Sequence, residues 1–322
     1  MNNVFIRIIG NMKRNIYSYS KLWMIFFVLM GAACTNQVED AIPVSGQHIE
    51  FSVQSDWKEI PNTRLNDGKT QFKDSDKIQI FGFHNSSSPG GQKDQKFMYR
   101  VNDRNRGQIV EYHGKKWIYS PKRFWPKEGT LDFYASYPEY SVLNDEDNHK
   151  MTYEQTVNPL QLDLLWGIST GHKCATACKD NVKIWMVHAL ARVDISFDSS
   201  LGEIKQAKVS AYKAGYFSGT TDGIPNWKVV PDSIQTAFVP SRENQKRIGD
   251  ATVFILPDRI KELKLIMLDG TEIDVSDKIQ NLEFKAGKLY NLKLYDLTKS
   301  KGVQKKNTNS RSIAMSVRCV SE

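Results

Sequence analysis

The stretch that most constrains this chain is Phe124-Trp125-Pro126-Lys127-Glu128-Gly129-Thr130-Leu131-Asp132-Phe133-Tyr134-Ala135-Ser136-Tyr137-Pro138. Leu131, Phe133, Ala135 and Tyr137 alternate with Asp132, Tyr134 and Ser136, and that period of two is how a strand sets one face on a core. Proline cannot donate to a central ladder, so Pro126 and Pro138 mark where pairing begins and ends. Such a strand needs neighbours, because isolated strands and lone hairpins are not stable in water.

The chain supplies them in order. Ile49, Phe51 and Val53 alternate with polar residues, and Lys77-Ile78-Gln79-Ile80-Phe81-Gly82-Phe83 follows an Asp74-Ser75-Asp76 turn. Further strands are expected at 96–101, 108–112 and 116–119, with a loop over 84–96. A second series opens at Ala191, Val193, Ile195 and Phe197 and continues at 208–212, 253–257, 263–268, 271–275 and 284–294. Gly215–Gly219 reads as a turn and Asp269-Gly270 as a hairpin turn. The expected class is all-β. With 322 residues, more than one core usually organises, the strands divide into two domains, 48–186 and 187–298.

The formal charge of +8 does not describe the folded body. Residues 1–33 hold Arg7, Lys13, Arg14 and Lys21 with no acid, and residues 299–322 hold six Lys and Arg against Glu322. The body is left close to neutral, whereas a nucleic-acid reader carries its basic surface on the folded domain. No nucleic-acid partner is expected.

At the N-terminus, the basic stretch ends at Lys21 and the apolar run Leu22–Ala33 precedes Cys34. That run is too short to span a bilayer and fits the apolar core of a secretory signal over residues 1–33, with Met12 as an alternative start. Small residues directly before a cysteine resemble a lipobox, which makes Cys34 the candidate lipidation site, the other reading being ordinary cleavage that leaves a free thiol. Acyl chains at about 0.8 kcal/mol per buried CH₂ hold a protein on a membrane without a spanning helix. Residues 34–47 read as a polar tether.

Little else carries chemistry. His172-Lys173-Cys174-Ala175-Thr176-Ala177-Cys178 has no second ligand pair for zinc. In an exported chain its cysteines suit a disulfide, within the loop between Cys174 and Cys178 or from it to Cys319, with free thiols as the alternative. The acidic turn 144–148 lacks the glycine and closing glutamate of an EF-hand. No histidine stands in a catalytic motif, and His188 reads as a structural residue with a hydrogen-bonded ring. The expectation is no enzyme, no metal and no cofactor.

These stretches, in their order, resemble one family. An aromatic-Trp-Pro followed by Leu131-Asp132-Phe133-Tyr134-Ala135-Ser136-Tyr137-Pro138 is similar to the signature strand of the fimbrillin (Mfa-like) family of surface proteins from anaerobic Gram-negative bacteria. So are the Thr63-Arg64 after the first strand, Gln161-Leu162-Asp163-Leu164-Leu165-Trp166-Gly167, His188-Ala189-Leu190, Leu256-Pro257-Asp258 and Ala286-Gly287-Lys288-Leu289-Tyr290. The resemblance implies two tandem β-sandwich domains of transthyretin-like type behind a lipoprotein signal peptide. It also implies a fimbrial stalk, anchor or tip subunit at the outer membrane that contributes to cell adhesion and has other subunits and a host or bacterial surface ligand as partners.

Two site assignments come with it. Arg64 becomes a candidate processing site where a trypsin-like protease removes the first strand, the plain alternative being an exposed loop arginine. The tail, a basic linker from 299 followed by Ser312–Val320, puts Ile313, Met315, Val317 and Cys319 on one face. Such a strand has no sequence neighbour, so it adds to a sheet, either its own or that of another subunit as a donor strand. A surface glycan-binding lipoprotein is the alternative function, with Trp117, Trp125, Trp166, Trp185 and Trp227 as stacking platforms.

Overall fold

The computed structural model describes residues 44–55, 72–144, 150–154, 163–174, 181–240, 251–296 and 313–320. Apart from the short 3-10 turns Ser199–Leu201 and Ser276–Lys278, the described residues form no helix. The chain is all-β, with its sheets layered as β-sandwiches.

The largest sheet has eight strands in the order Phe51–Ser55, Val182–His188, Leu165–His172, Thr130–Tyr137, Lys77–Asn85, Gln95–Arg100, Asp103–His113 and Lys116–Ile118. The signature strand is at its middle. Leu131, Phe133 and Ala135 are fully buried as the alternation predicts. The opposite face is covered too: Ser136 is fully buried, and Nε2 of the equally buried Gln79 donates to its Oγ at 2.8 Å and to the Val142 carbonyl at 2.6 Å. A buried amide satisfied twice in this way fixes the register of Lys77–Asn85 against Thr130–Tyr137.

A second pair of sheets forms the other sandwich. One has the order Ala251–Ile255, Ala191–Phe197, Leu289–Asp296 and Ile313–Val320, and the other Ile234–Pro240, Ile204–Tyr212, Glu262–Met267 and Glu272–Asp274. Val193, Ile195, Leu292 and Leu294 of the first share one core with Ala207, Val209, Leu263 and Leu265 of the second. The Asp269-Gly270 hairpin forms as expected, with Gly270 at φ +86°.

Two strands depart from the expectations. Val44–His48, expected within the tether up to residue 47, is a strand paired with Phe124–Pro126. Only Val44 in it is apolar, so its pairing rests on backbone bonds that hydropathy does not signal. Ala214–Phe217, expected as a turn, is a strand in a four-stranded sheet of order Lys228–Val229, Ala214–Phe217, Met151–Glu154 and Val142–Asn144. Gly215 is there for close approach: a Cβ would stand 3.2 Å from the Lys228 carbonyl and from the Trp227 ring. This sheet also joins strands from either side of the expected 186/187 boundary. At that boundary Ala189 and Leu190 are buried, in one cluster with Trp166, Phe217, Phe254 and Leu256. A final small hairpin pairs Thr220–Thr221 with Ile224–Pro225.

Candidate assembly surface

The strands Phe51–Ser55 and Ile313–Val320 both lie at sheet edges. Phe51–Ser55 is the last strand of the eight-stranded sheet and runs parallel to Val182–His188, with Phe51 opposite Val182 and Val53 opposite Ile184. Ile49, Phe51 and Val53 are buried. Phe51 sits with its ring 5.3 Å from Phe133, edge-on, and 5.8 Å from Tyr119. The Ile49 amide donates to the Arg123 carbonyl at 2.8 Å, the Tyr119 hydroxyl donates to the Ile49 carbonyl at 2.7 Å, and the Val182 amide donates to the Glu50 carbonyl at 2.7 Å. Burial pushes the Tyr119 phenol up to about 12, so it stays a donor. At roughly 1.5–3 kcal/mol per buried side chain, three such residues clamp the segment by several kcal/mol.

Ile313–Val320 lies at the edge of its own sheet, antiparallel to Leu289–Asp296 in eight consecutive pairs. Ile313 stands opposite Asp296, Met315 opposite Leu294, Val317 opposite Leu292 and Cys319 opposite Tyr290. The partners Leu292, Leu294 and Asp296 are fully buried. The apolar period of the tail is therefore in register with the inward period of its neighbour. Here the tail strand pairs within its own chain, one of the two placements its sequence allows.

Cys34, Arg64, the 145–148 part of the acidic turn and Cys178 lie outside the described residues. Cys174 is disulfide-bonded. His188 is a structural residue: its Nδ1 lies 2.6 Å from Oδ2 of the buried Asp163. Ser169 Oγ stands 2.8 Å from Nε2 of His172 and 2.7 Å from the Lys183 carbonyl. A carbonyl only accepts, so the serine gives its proton there and receives one from His172, the reverse of an activated nucleophile. Among the described residues no cluster of three or more His, Cys, Asp or Glu could hold a metal, and no helix is long and apolar enough to cross a membrane. Of the tryptophans, Trp117, Trp125 and Trp166 are buried and Trp227 is half-buried, its indole N–H donating to the Ala189 carbonyl at 2.7 Å, whereas Trp185 is 53% exposed.

A family model described as fimbrillin-like matches residues 63–310. None of the curated proteins matches the chain. Among solved structures, a candidate cell adhesion protein from Bacteroides ovatus aligns with TM-score 0.50 and 13% identity over 85% of this chain and 96% of that one, a likeness of fold. A fimbrial assembly protein from Parabacteroides distasonis aligns with TM-score 0.44 and 10% identity over 84% and 99% of the two chains. The tip fimbrial protein Mfa3 from Porphyromonas gingivalis aligns with TM-score 0.40 and 7% identity over 76% and 94%. The strands Phe51–Ser55 and Ile313–Val320 flank the stretch that the family model matches.

Proposed function

This chain belongs to the fimbrillin-like family, and from that premise we propose that it is a fimbrial subunit, exported as a lipoprotein through Cys34 and joined to its neighbours by strand exchange. The observation that carries the reading is the pair of edge strands Phe51–Ser55 and Ile313–Val320. Withdrawal of Phe51–Ser55 after a cut at Arg64 opens a groove beside Val182–His188, floored by Phe133 and Tyr119. Ile313–Val320 carries its apolar residues at alternate positions, as a strand must to fill such a groove in another subunit. Its pairing with Leu289–Asp296 is then the resting state from which the donor is released.

The test is intact mass and N-terminal sequencing of the protein from its native membrane, beside boiled and unboiled gels. A chain beginning at Leu65, with a ladder in the unboiled lane, is expected. An acylated chain beginning at Cys34 without a ladder overturns strand exchange and leaves a lipid-held monomer.

A second reading, a surface glycan-binding lipoprotein, has the exposed Trp185 in its favour. Retention of the purified protein on polysaccharide, lost in Trp185→Ala, is its signature.

A further inference from the structure

The two edge strands match residue for residue. Ile49-Glu50-Phe51-Ser52-Val53-Gln54-Ser55, set beside Ile313-Ala314-Met315-Ser316-Val317-Arg318-Cys319, finds Ile, Ser and Val at the same places. Met315 stands where Phe51 does, and Cys319, which differs from serine by sulfur for oxygen, where Ser55 does.

The structure gives each of these places a physical content. Ile49 is fully buried and bonded through its backbone on both sides, its amide to the Arg123 carbonyl and its carbonyl to the Tyr119 hydroxyl. The loop that makes this clasp is itself fixed, since Arg123 Nη2 donates to the Tyr99 carbonyl at 3.1 Å. Phe51 lies against the rings of Phe133 and Tyr119, and Val53 is buried opposite Ile184. On the outer face Ser52 stands opposite Lys183, and Gln54 opposite Trp185, which is 53% exposed.

We propose that the tail of a second copy of this chain takes the place of Phe51–Ser55 in one register and one direction, parallel to Val182–His188, with Trp185 as the residue that reads it. The proposal rests on the strand-exchange reading and names the occupant and its address. Ile313, Met315 and Val317 take the seats of Ile49, Phe51 and Val53. The first and last are refilled by the same side chain, and a flexible thioether suits a seat walled by two aromatic rings. Ile313 is not a proline, so it offers the clasp both the amide and the carbonyl it holds. Arg318 then replaces Gln54 and lays its guanidinium on the open indole of Trp185, a cation–π contact.

Other placements meet a penalty. A slip of one residue turns every apolar side chain to the outer face. A slip of two sets Arg318 opposite Lys183, or else Arg311 in the buried seat of Ile49, and a reversal of direction about Val53 also brings Arg318 to Lys183. Like charges directly opposite, and a cation in an apolar seat, are both unfavourable.

Full-length chains in a Cys319→Ser background are coexpressed in pairs in the native host, oxidised, and run on non-reducing gels beside the unboiled ladder of the unsubstituted chain. Trp185→Cys in one copy is expected to link to Arg318→Cys in the other, and Lys183→Cys to Ser316→Cys, whereas Lys183→Cys does not link to Arg318→Cys. A ladder with the Lys183→Cys to Arg318→Cys link, or with none of these links, overturns the register and leaves strand exchange standing. No ladder overturns both. Independently of cysteines, Arg318→Ala and Trp185→Ala are each expected to speed polymer dissociation in denaturant by roughly two- to fivefold, and the double variant by no more than either alone. Unchanged rates, or losses that multiply in the double variant, overturn the contact between Arg318 and Trp185.

Discussion

Ser86 Oγ donates to a carboxylate oxygen of Glu128 at 2.7 Å and the Ser87 amide donates to the other at 2.9 Å, so one side chain gathers a loop whose composition reads as loose. The hydrogen bonds from Ser87, then Ser86, hold the Glu128 carboxyl at about 2, against an ordinary 4.5. A depressed folded value contributes stability above pH 4.5 and loses it as pH falls through about 2. Protection of the Ser87 amide against hydrogen exchange should decline across that window and nowhere above it; a flat profile removes Glu128 as the anchor. Deeper inside, Phe133 meets Phe51 and Trp125 edge-on and is fully buried. Phe133→Ala should cost about 3–5 kcal/mol in denaturant unfolding. A loss below about 1 kcal/mol would mean that the site collapses around the gap.

At the scale of elements, Phe51–Ser55 depends on a few buried side chains and a single ladder. Val53→Asp puts an unpaired charge where the strand is buried, a cost of several kcal/mol. Trypsin should then release the segment ahead of Arg64 at least ten times faster, read by mass spectrometry, and an unchanged rate would show that this strand is held elsewhere. For the tail, Met315→Asp should leave a folded monomer and abolish the unboiled ladder; intact ladders would end its role as donor. Elements with a half-buried face were legible in the sequence. Thr130–Tyr137, Glu262–Met267 and Leu289–Asp296 each show the alternation that burial of one side imposes. Val44–His48 escaped because backbone pairing needs no apolar residue, and Ala214–Phe217 because Gly215 and the Gly219 beyond it signal a bend as well as close approach. The seat of Phe51 was illegible for another reason. Tyr119 and Phe133 lie far from it in the chain, and no spacing announces that they meet.

For the molecule as a whole, the antiparallel sheet of Ala214–Phe217 and Met151–Glu154 and the cluster around Trp166, Leu190 and Phe254 couple what the sequence divides in two. A shared core makes each half the support of the other, so calorimetry should show one cooperative transition with matching calorimetric and van't Hoff enthalpies. Two separated transitions would mean that each half is stable alone. The parallel ladder between Phe51–Ser55 and Val182–His188 bears on the order of events during folding. Residues 51–55 are synthesised well before 182–188, the strand with which they pair. Closing so long a loop is slow and entropically late. Phe51–Ser55 is thus late to dock, and for that interval its seat beside Val182–His188 stands open to whichever strand arrives first.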